Sequence, residues 1–180
     1  MSKTLSRADW IQHATKMLTE NGYTALRAQP LAKSLGVSRG SFYWHFADIA
    51  ALEAAVLRSW SRRSTDIVIR RLGQEAPAIE RLASLIHQAF ESEMGLERAI
   101  RSWAIASPAA HKAVSAVDRR RLDYIAQLLS EIGVADAEIR SRALMLYWSS
   151  LGRLMIANSA LRKMSDAEIA NMVELITARD

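Results

Sequence analysis

The stretch from Leu31 to Phe46, LAKSLGVSRGSFYWHF, decides how this chain reads. Ala32 is small where a second helix must cross closely. Gly36 supplies a tight bend at no Cβ cost. Val37 is the apolar turn residue that locks two helices together. Ser38 stands as a candidate N-cap for a helix whose exposed first turn carries Arg39, Gly40 and Ser41. These features describe a helix-turn-helix, whose second helix can enter a DNA major groove with its N-terminal residues against the base edges.

The flanking sequence continues in helices. Trp10, Ile11, Ala14, Met17 and Leu18 form an apolar stripe at helical spacing, so a first helix is expected from about Ser6 to Glu20. Ser6 caps it with Asp9 three residues on, and Asn21-Gly22 stops it. A second short helix begins near Gln29-Pro30, and a fourth at Asp48, with Ile49, Leu52, Val56 and Trp60 on one face. Pro77 opens a helix with Ile79, Leu82, Ile86, Ala89 and Phe90 inward. Leu96 to Ser107 follows, around Ile100 and Trp103. Ser107-Pro108 opens a long helix to Ile132, closed by Gly133. Asp136 caps a helix to about Ser159, and Ser165 caps the last one, with Glu168 completing a capping box. Seven glycines and three prolines in 180 residues are too few for the turns of an all-β domain. The fold class is therefore all-α.

Charge divides the chain. Its net +5 lies wholly in residues 1–63, which hold nine lysines and arginines against four acidic residues. The remainder is neutral. A basic module for a polyanion joined to a neutral body is one reading, and a solvated basic surface is the other. With no cysteine there are no disulfides, thiol nucleophiles or thiolate metal sites. That agrees with a cytoplasmic protein. No apolar run approaches the ~18 residues of a membrane span, and Met1 to Trp10 holds no apolar core of a secretory signal. Enzyme motifs are missing too: there is no Gly-rich phosphate loop, no His-Glu-x-x-His and no carboxylate pair with an evident task. His87 and Glu91 stand at i, i+4 but lack a third ligand, so neither metal nor cofactor is expected. Arg119, Arg120 and Arg121 read as a solvated face with salt bridges to Asp118 and Asp123.

The helix from Asp136 is apolar on two sides. Ile139, Ala143, Leu146 and Leu154 lie on one stripe, and Met145, Trp148, Leu151 and Met155 on another. Two apolar faces call for burial twice, once against the same subunit and once against a second copy or another element.

The run GVSRGSFYWHF resembles the recognition-helix signature of the TetR (tetracycline-repressor) family of bacterial transcriptional regulators. The likeness extends back through Trp10 to Gly22 and forward through FADIAALEAAVL, and more loosely to Trp103–Pro108 and Val117–Leu122. The resemblance implies a helix-turn-helix DNA-binding domain over 1–47 and a helical effector-binding and dimerisation domain over 48–180. It implies a repressor that binds a palindromic double-stranded operator as a homodimer, paired through the last two long helices, and is released by a small effector. By position, Arg39, Gly40 and Ser41 match base-facing residues. Tyr43 and His45, with Ser38 nearby, match phosphate contacts, and Phe42 and Phe46 match buried positions. Trp44 lies beside the contact face, either packed or on a phosphate. The chain departs from the family pattern twice. Gln29 stands where an Arg is common and can read adenine bidentately, with Arg27 supplying the missing charge. Ala47-Asp48-Ile49 replaces the usual Lys at the start of the fourth helix, which removes one phosphate contact.

The family's effector binds among the helices of the body. The bulky residues Phe90, Met94, Trp103, Tyr124, Tyr147 and Trp148 suit an apolar or aromatic ligand, with Arg101 and Ser102 as polar groups to orient it. Plain core packing explains the same residues. A dimeric DNA-binding regulator with no small-molecule effector, controlled by a protein partner, is the alternative.

Overall fold

In the computed structural model, residues 5–73, 75–92 and 94–178 are described, and every element they form is helical. The chain divides into two units. The first takes Met1–Arg63 and Met94–Ala116, the second Ser64–Glu93 and Val117–Asp180.

In the first unit, α1 spans Arg7–Asn21 and begins with the expected capping box. The Ser6 hydroxyl accepts from the Asp9 N–H, and the Asp9 carboxylate accepts from the Ser6 N–H at 2.8 Å. Gly22, at φ 76°, ends it. A 3₁₀ turn, Tyr23–Ala25, leads to α2 (Ala28–Ser34), α3 (Arg39–Tyr43) and α4 (Ile49–Ser61). Asp48 caps α4 by accepting from the Ala51 N–H at 2.7 Å. Trp10, Ala14, Leu18, Leu31, Phe42, Leu52 and Val56 are fully buried or nearly so, each large side chain contributing about 1.5–3 kcal/mol.

The first unit also contains α7 (Gly95–Ala106), far along the sequence, and the start of α8 (Pro108–Ile132), which Ser107 caps through the Ala110 N–H. A Cβ on Gly95 would stand 3.1 Å from Thr19 Cγ2, so glycine lets α7 approach α1 closely. Trp103, 1% exposed, stacks on Tyr23 with ring centres 4.9 Å apart and planes 14° off parallel. Glu97 accepts from Trp60 Nε1 at 3.1 Å and from Arg101 Nε at 2.8 Å.

The second unit begins inside a π-helical turn, Arg62–Asp66, which joins α4 to α5 (Ile67–Leu72). It continues with α6 (Ala78–Glu91), the rest of α8, and α9 (Asp136–Gly152). Two 3₁₀ turns, Arg153–Met155 and Ser159–Arg162, precede α10 (Asp166–Thr177). Its core is Leu82, Ile86, Phe90, Tyr124, Leu128, Leu129, Leu146, Tyr147, Ile169, Val173 and Ile176. Arg81 is buried against Glu131, and the Tyr147 hydroxyl donates to Asp118 at 2.6 Å. The Ser165–Glu168 capping box opens α10 as expected.

Four local expectations change. The helix from Asp136 stops at Gly152 rather than Ser159, because the Arg153 side chain turns inward to the carbonyls of Ala89 and Phe90. Asp136 is the first helical residue, not the cap; Ala135 holds that place without a side-chain bond. Ser38 has the extended backbone of an N-cap, but its hydroxyl accepts no helix N–H. Ile79 is 44% exposed, since the first turn of α6 runs past the edge of the core. The arginine run keeps Arg119 and Arg120 exposed and also reaches the π turn: Arg120 pairs with Asp66 at 2.9 Å, and Arg121 donates to Thr65 Oγ1 at 3.1 Å. Among the described residues no helix is long and apolar enough to cross a membrane.

Candidate nucleic-acid interface

The recognition helix is short, and its seating comes from aromatic packing. Gly36, at φ 70°, turns the chain between α2 and α3 in a conformation that L side chains rarely adopt. The Val37 N–H then returns to the Ala32 carbonyl at 3.0 Å. Phe42, on the inner side of α3, meets the Trp10 ring edge-on at 5.5 Å and the Phe46 ring at 5.5 Å. The Arg7 guanidinium lies 4.8 Å over Phe46 and covers the outer side of that cluster.

With Phe42 anchored, the opposite side of α3 is open. Ser38, Arg39, Gly40, Tyr43 and Trp44 are exposed, Ser41 and His45 are half-buried, and Arg27 and Gln29 are exposed at the start of α2. Trp44 is 88% exposed, so it does not pack within the chain. The Arg39 guanidinium donates to the Tyr43 hydroxyl at 2.9 Å and lies 5.5 Å from its ring centre. That pairing fixes the direction of a long cationic side chain one turn along the helix.

Gly40 differs from Gly36. Its φ is not positive, and an added Cβ would meet only Ser38 Oγ, at an ordinary 3.6 Å. Neither backbone nor packing within the chain requires glycine there. Asp48, where a phosphate-holding Lys was missing from the sequence, uses its carboxylate on the cap of α4.

The same unit holds a carboxyl with no cationic partner among the described residues. Glu53, on α4, is half-buried; burial, with Asp48 adding, pushes its pKa up, while the Tyr23 hydroxyl bond pulls the other way. Burial and the Glu53 charge push the Tyr23 phenol up as well. His13 bonds Ser34 at 2.6 Å across α1 and α2, and burial, then Lys16, lower its pKa.

The eight effector candidates are divided between the two units. Phe90, Tyr124 and Tyr147 share the core of the second unit. Trp103 is buried in the first unit; Met94 and Arg101, half-buried, belong to it too, and Arg101 is held by Glu97. Trp148 is 61% exposed, on the same open side as Met145 at 56%. Ser102 is exposed. His87 lies 3.8 Å from Asp166, and no group of three metal-ligating side chains occurs among the described residues. Sequence reasoning missed three contacts: Arg39 with Tyr43, Tyr23 with Trp103, and Arg7 with Phe46. Only the first left a trace, the i, i+4 spacing of Arg and Tyr.

A helix-turn-helix with its outer face open is thus seated on an all-helical chain. Residues 11–56 match the family model described as bacterial regulatory proteins, tetR family. That match covers the helix-turn-helix region, about a quarter of the chain. A search of curated proteins finds no match. Solved structures share the fold along nearly the whole chain. Escherichia coli NemR in its reduced form is 18% identical at a TM-score of 0.75, covering 94% of this chain and 95% of its own. FadR from Bacillus subtilis, in complex with stearoyl-CoA, is 18% identical at 0.71, covering 96% and 98%. AibR, in complex with isovaleryl coenzyme A and operator DNA, is 14% identical at 0.71, covering 94% and 96%.

Proposed function

We propose that this regulator is a cytoplasmic repressor that binds a palindromic operator as a homodimer and is released by a small, mainly apolar effector. The observation that carries the DNA reading is the open side of α3, where Gly40 has room for a side chain it does not carry. Arg39, Gly40 and Ser41 read bases, with Gln29 beside them on α2. Arg27, Ser38, Tyr43, Trp44 and His45 hold the backbone. In this reading residues 1–47 bind DNA, and 48–180 bind the effector and the second subunit.

Support for a dimer comes from apolar side chains left open at the end of the chain. Met145, Trp148, Met155, Leu161 and Leu175 are 56–87% exposed on α9, the following turns and α10. Such exposure marks association surfaces, and a four-helix pairing across a two-fold axis covers it. Trp148 belongs with this face. For the effector, Phe90, Tyr124 and Tyr147 in one unit and Met94, Arg101 and Trp103 in the other supply the apolar and polar groups. Two proteins of the same fold are solved with acyl-CoA ligands, so acyl thioesters lead the ligand classes to screen.

Selection of bound sequences from a random DNA pool tests the reading. A two-fold symmetric consensus is expected, with half-sites about one helical turn apart or a multiple of it. Arg39→Ala should cost about 1–3 kcal/mol on that operator and relax one position per half-site. An operator bound equally well by Arg39→Ala, or a monomer by light scattering at micromolar concentration, overturns the assignment.

A further inference from the structure

In the second unit, several arginines hold a carboxylate. Arg81 takes Glu131, Arg142 takes Glu138 and Arg120 takes Asp66. Arg153 and Arg162 break the pattern. Arg153 is 6% exposed. Its Nε donates to the Arg162 carbonyl at 2.8 Å, its Nη2 to the Phe90 carbonyl at 2.6 Å and its Nη1 to the Ala89 carbonyl. Its guanidinium also lies 4.7 Å from the Phe90 ring centre. Three bonds leave two of its five N–H donors unused. Arg162 Nε is buried with no hydrogen-bond partner. Burial, and then the Arg162 charge, press the Arg153 pKa down.

The carbonyls at the C-terminus of α6 carry a partial negative charge that offsets part of one guanidinium. They leave Arg162 Nε unpaired. A buried guanidinium beside a half-buried one whose Nε is shut off from solvent, with unused donors and no acid paired to either among the described residues, is costly unless an anion completes the pair. Guanidinium donors match the oxygens of a phosphate or carboxylate.

We propose that Arg153 and Arg162 form a binding site for a small oxyanion: a phosphate or carboxylate, free or carried by a larger molecule. Arg153 presents its two remaining Nη donors, and Arg162 its Nε. Phe90 gives the site an apolar edge, so a ligand with an anionic group on an apolar body fits it. The depth of Arg153 favours a small anion over a side chain from a second subunit. The site shares Phe90 with the effector reading above, and inorganic phosphate tests it apart from that reading.

Thermal unfolding of the full chain tests it, in sodium chloride buffers of matched ionic strength. Inorganic phosphate should raise Tm by about 2–4 °C at saturation, as expected for a ligand of the folded state. Arg162→Gln, folded by circular dichroism, should need at least tenfold more phosphate. Arg162→Lys, which keeps the charge but loses the fork, should fall between them. Acetate in a parallel series reads out the carboxylate arm. Coenzyme A acting at tenfold lower concentration than phosphate assigns the anion to a larger ligand; a response no stronger than that to phosphate assigns it to the free ion. If none of these anions acts beyond the chloride control, or if Arg162→Gln keeps the full response, the site does not exist. A Tm that ignores all of them but rises with protein concentration, in the parent and not in Arg162→Gln, places a second subunit's carboxylate there and overturns the proposal.

Discussion

Trp103→Ala tests whether α7 is structurally part of the helix-turn-helix unit. The indole is 1% exposed and lies flat on Tyr23. A tryptophan side chain buries about 150–250 Å², worth roughly 4–6 kcal/mol at ~25 cal/mol per Å². Measured Trp→Ala losses run about 3–5 kcal/mol, because the site relaxes only in part. Against a total stability on the order of 5–15 kcal/mol, that loss leaves the first unit marginal. Aromatic stacking adds about 0.5–1.5 kcal/mol beyond area, so a Tyr23→Leu, Trp103→Leu double-mutant cycle should return a coupling of that size. Urea unfolding followed by circular dichroism reads the stability, and fluorescence anisotropy with labelled operator reads the function. DNA binding should fail at lower urea in Trp103→Ala than in the parent, while self-association through α9 and α10 persists by light scattering. A loss under about 1 kcal/mol, or lost association with operator binding intact, would refute the reasoning.

Two glycines separate stability from recognition. Gly36→Ala should cost about 1–2 kcal/mol through its positive φ alone, with nothing within 4 Å of the new methyl; its denaturation midpoint falls. Gly40→Ala should leave the midpoint level or higher, as helix propensity favours alanine by up to about 1 kcal/mol, and should weaken operator binding severalfold. For Glu53, the raised pKa means that the folded state holds the proton more tightly than the unfolded chain. The carboxylate therefore destabilises the fold above its raised pKa, and the penalty is relieved as pH falls through that value toward the ordinary one. Glu53→Gln should raise Tm near pH 7 and give no gain near pH 4, where both states are largely protonated; equal gains at both would show that charge is not the cause.

Local punctuation was the most legible part of this chain. Ser6 with Asp9, Asp48, Ser107, and Ser165 with Glu168 cap helices where their spacing places them, because each cap is settled within four residues. The recognition helix was legible for the same reason: Gly36 must turn and Phe42 must anchor. The end of α9 was not, since Gly152 stops it through Arg153, whose partners Ala89 and Phe90 lie more than sixty residues back. Burial of Phe90, Trp103, Tyr124 and Tyr147 could be expected from their spacing, but spacing names no neighbour. Nothing near Trp103 announces that it stacks on Tyr23, eighty residues away. Trp148 and Met145 read as apolar and proved open, a distinction set by the outer side of α9 rather than by the residues themselves.

The seating of α7 against α1 bears on how the protein is made. The first unit is discontinuous: residues up to Arg63 must wait for Met94–Ala116. On a ribosome adding about 5–20 residues per second, the fifty-odd residues from 64 to 116 take roughly 3–10 s to synthesise. During that interval the nascent helix-turn-helix has its Phe42 anchor and its arginines, but lacks Ile100 and the Trp103 lid over Tyr23. It emerges as a basic, half-covered segment amid cellular nucleic acid. The open side of α3 is thus made before the helix that completes its unit, and Gly95 is the residue at which the late helix closes on the early one.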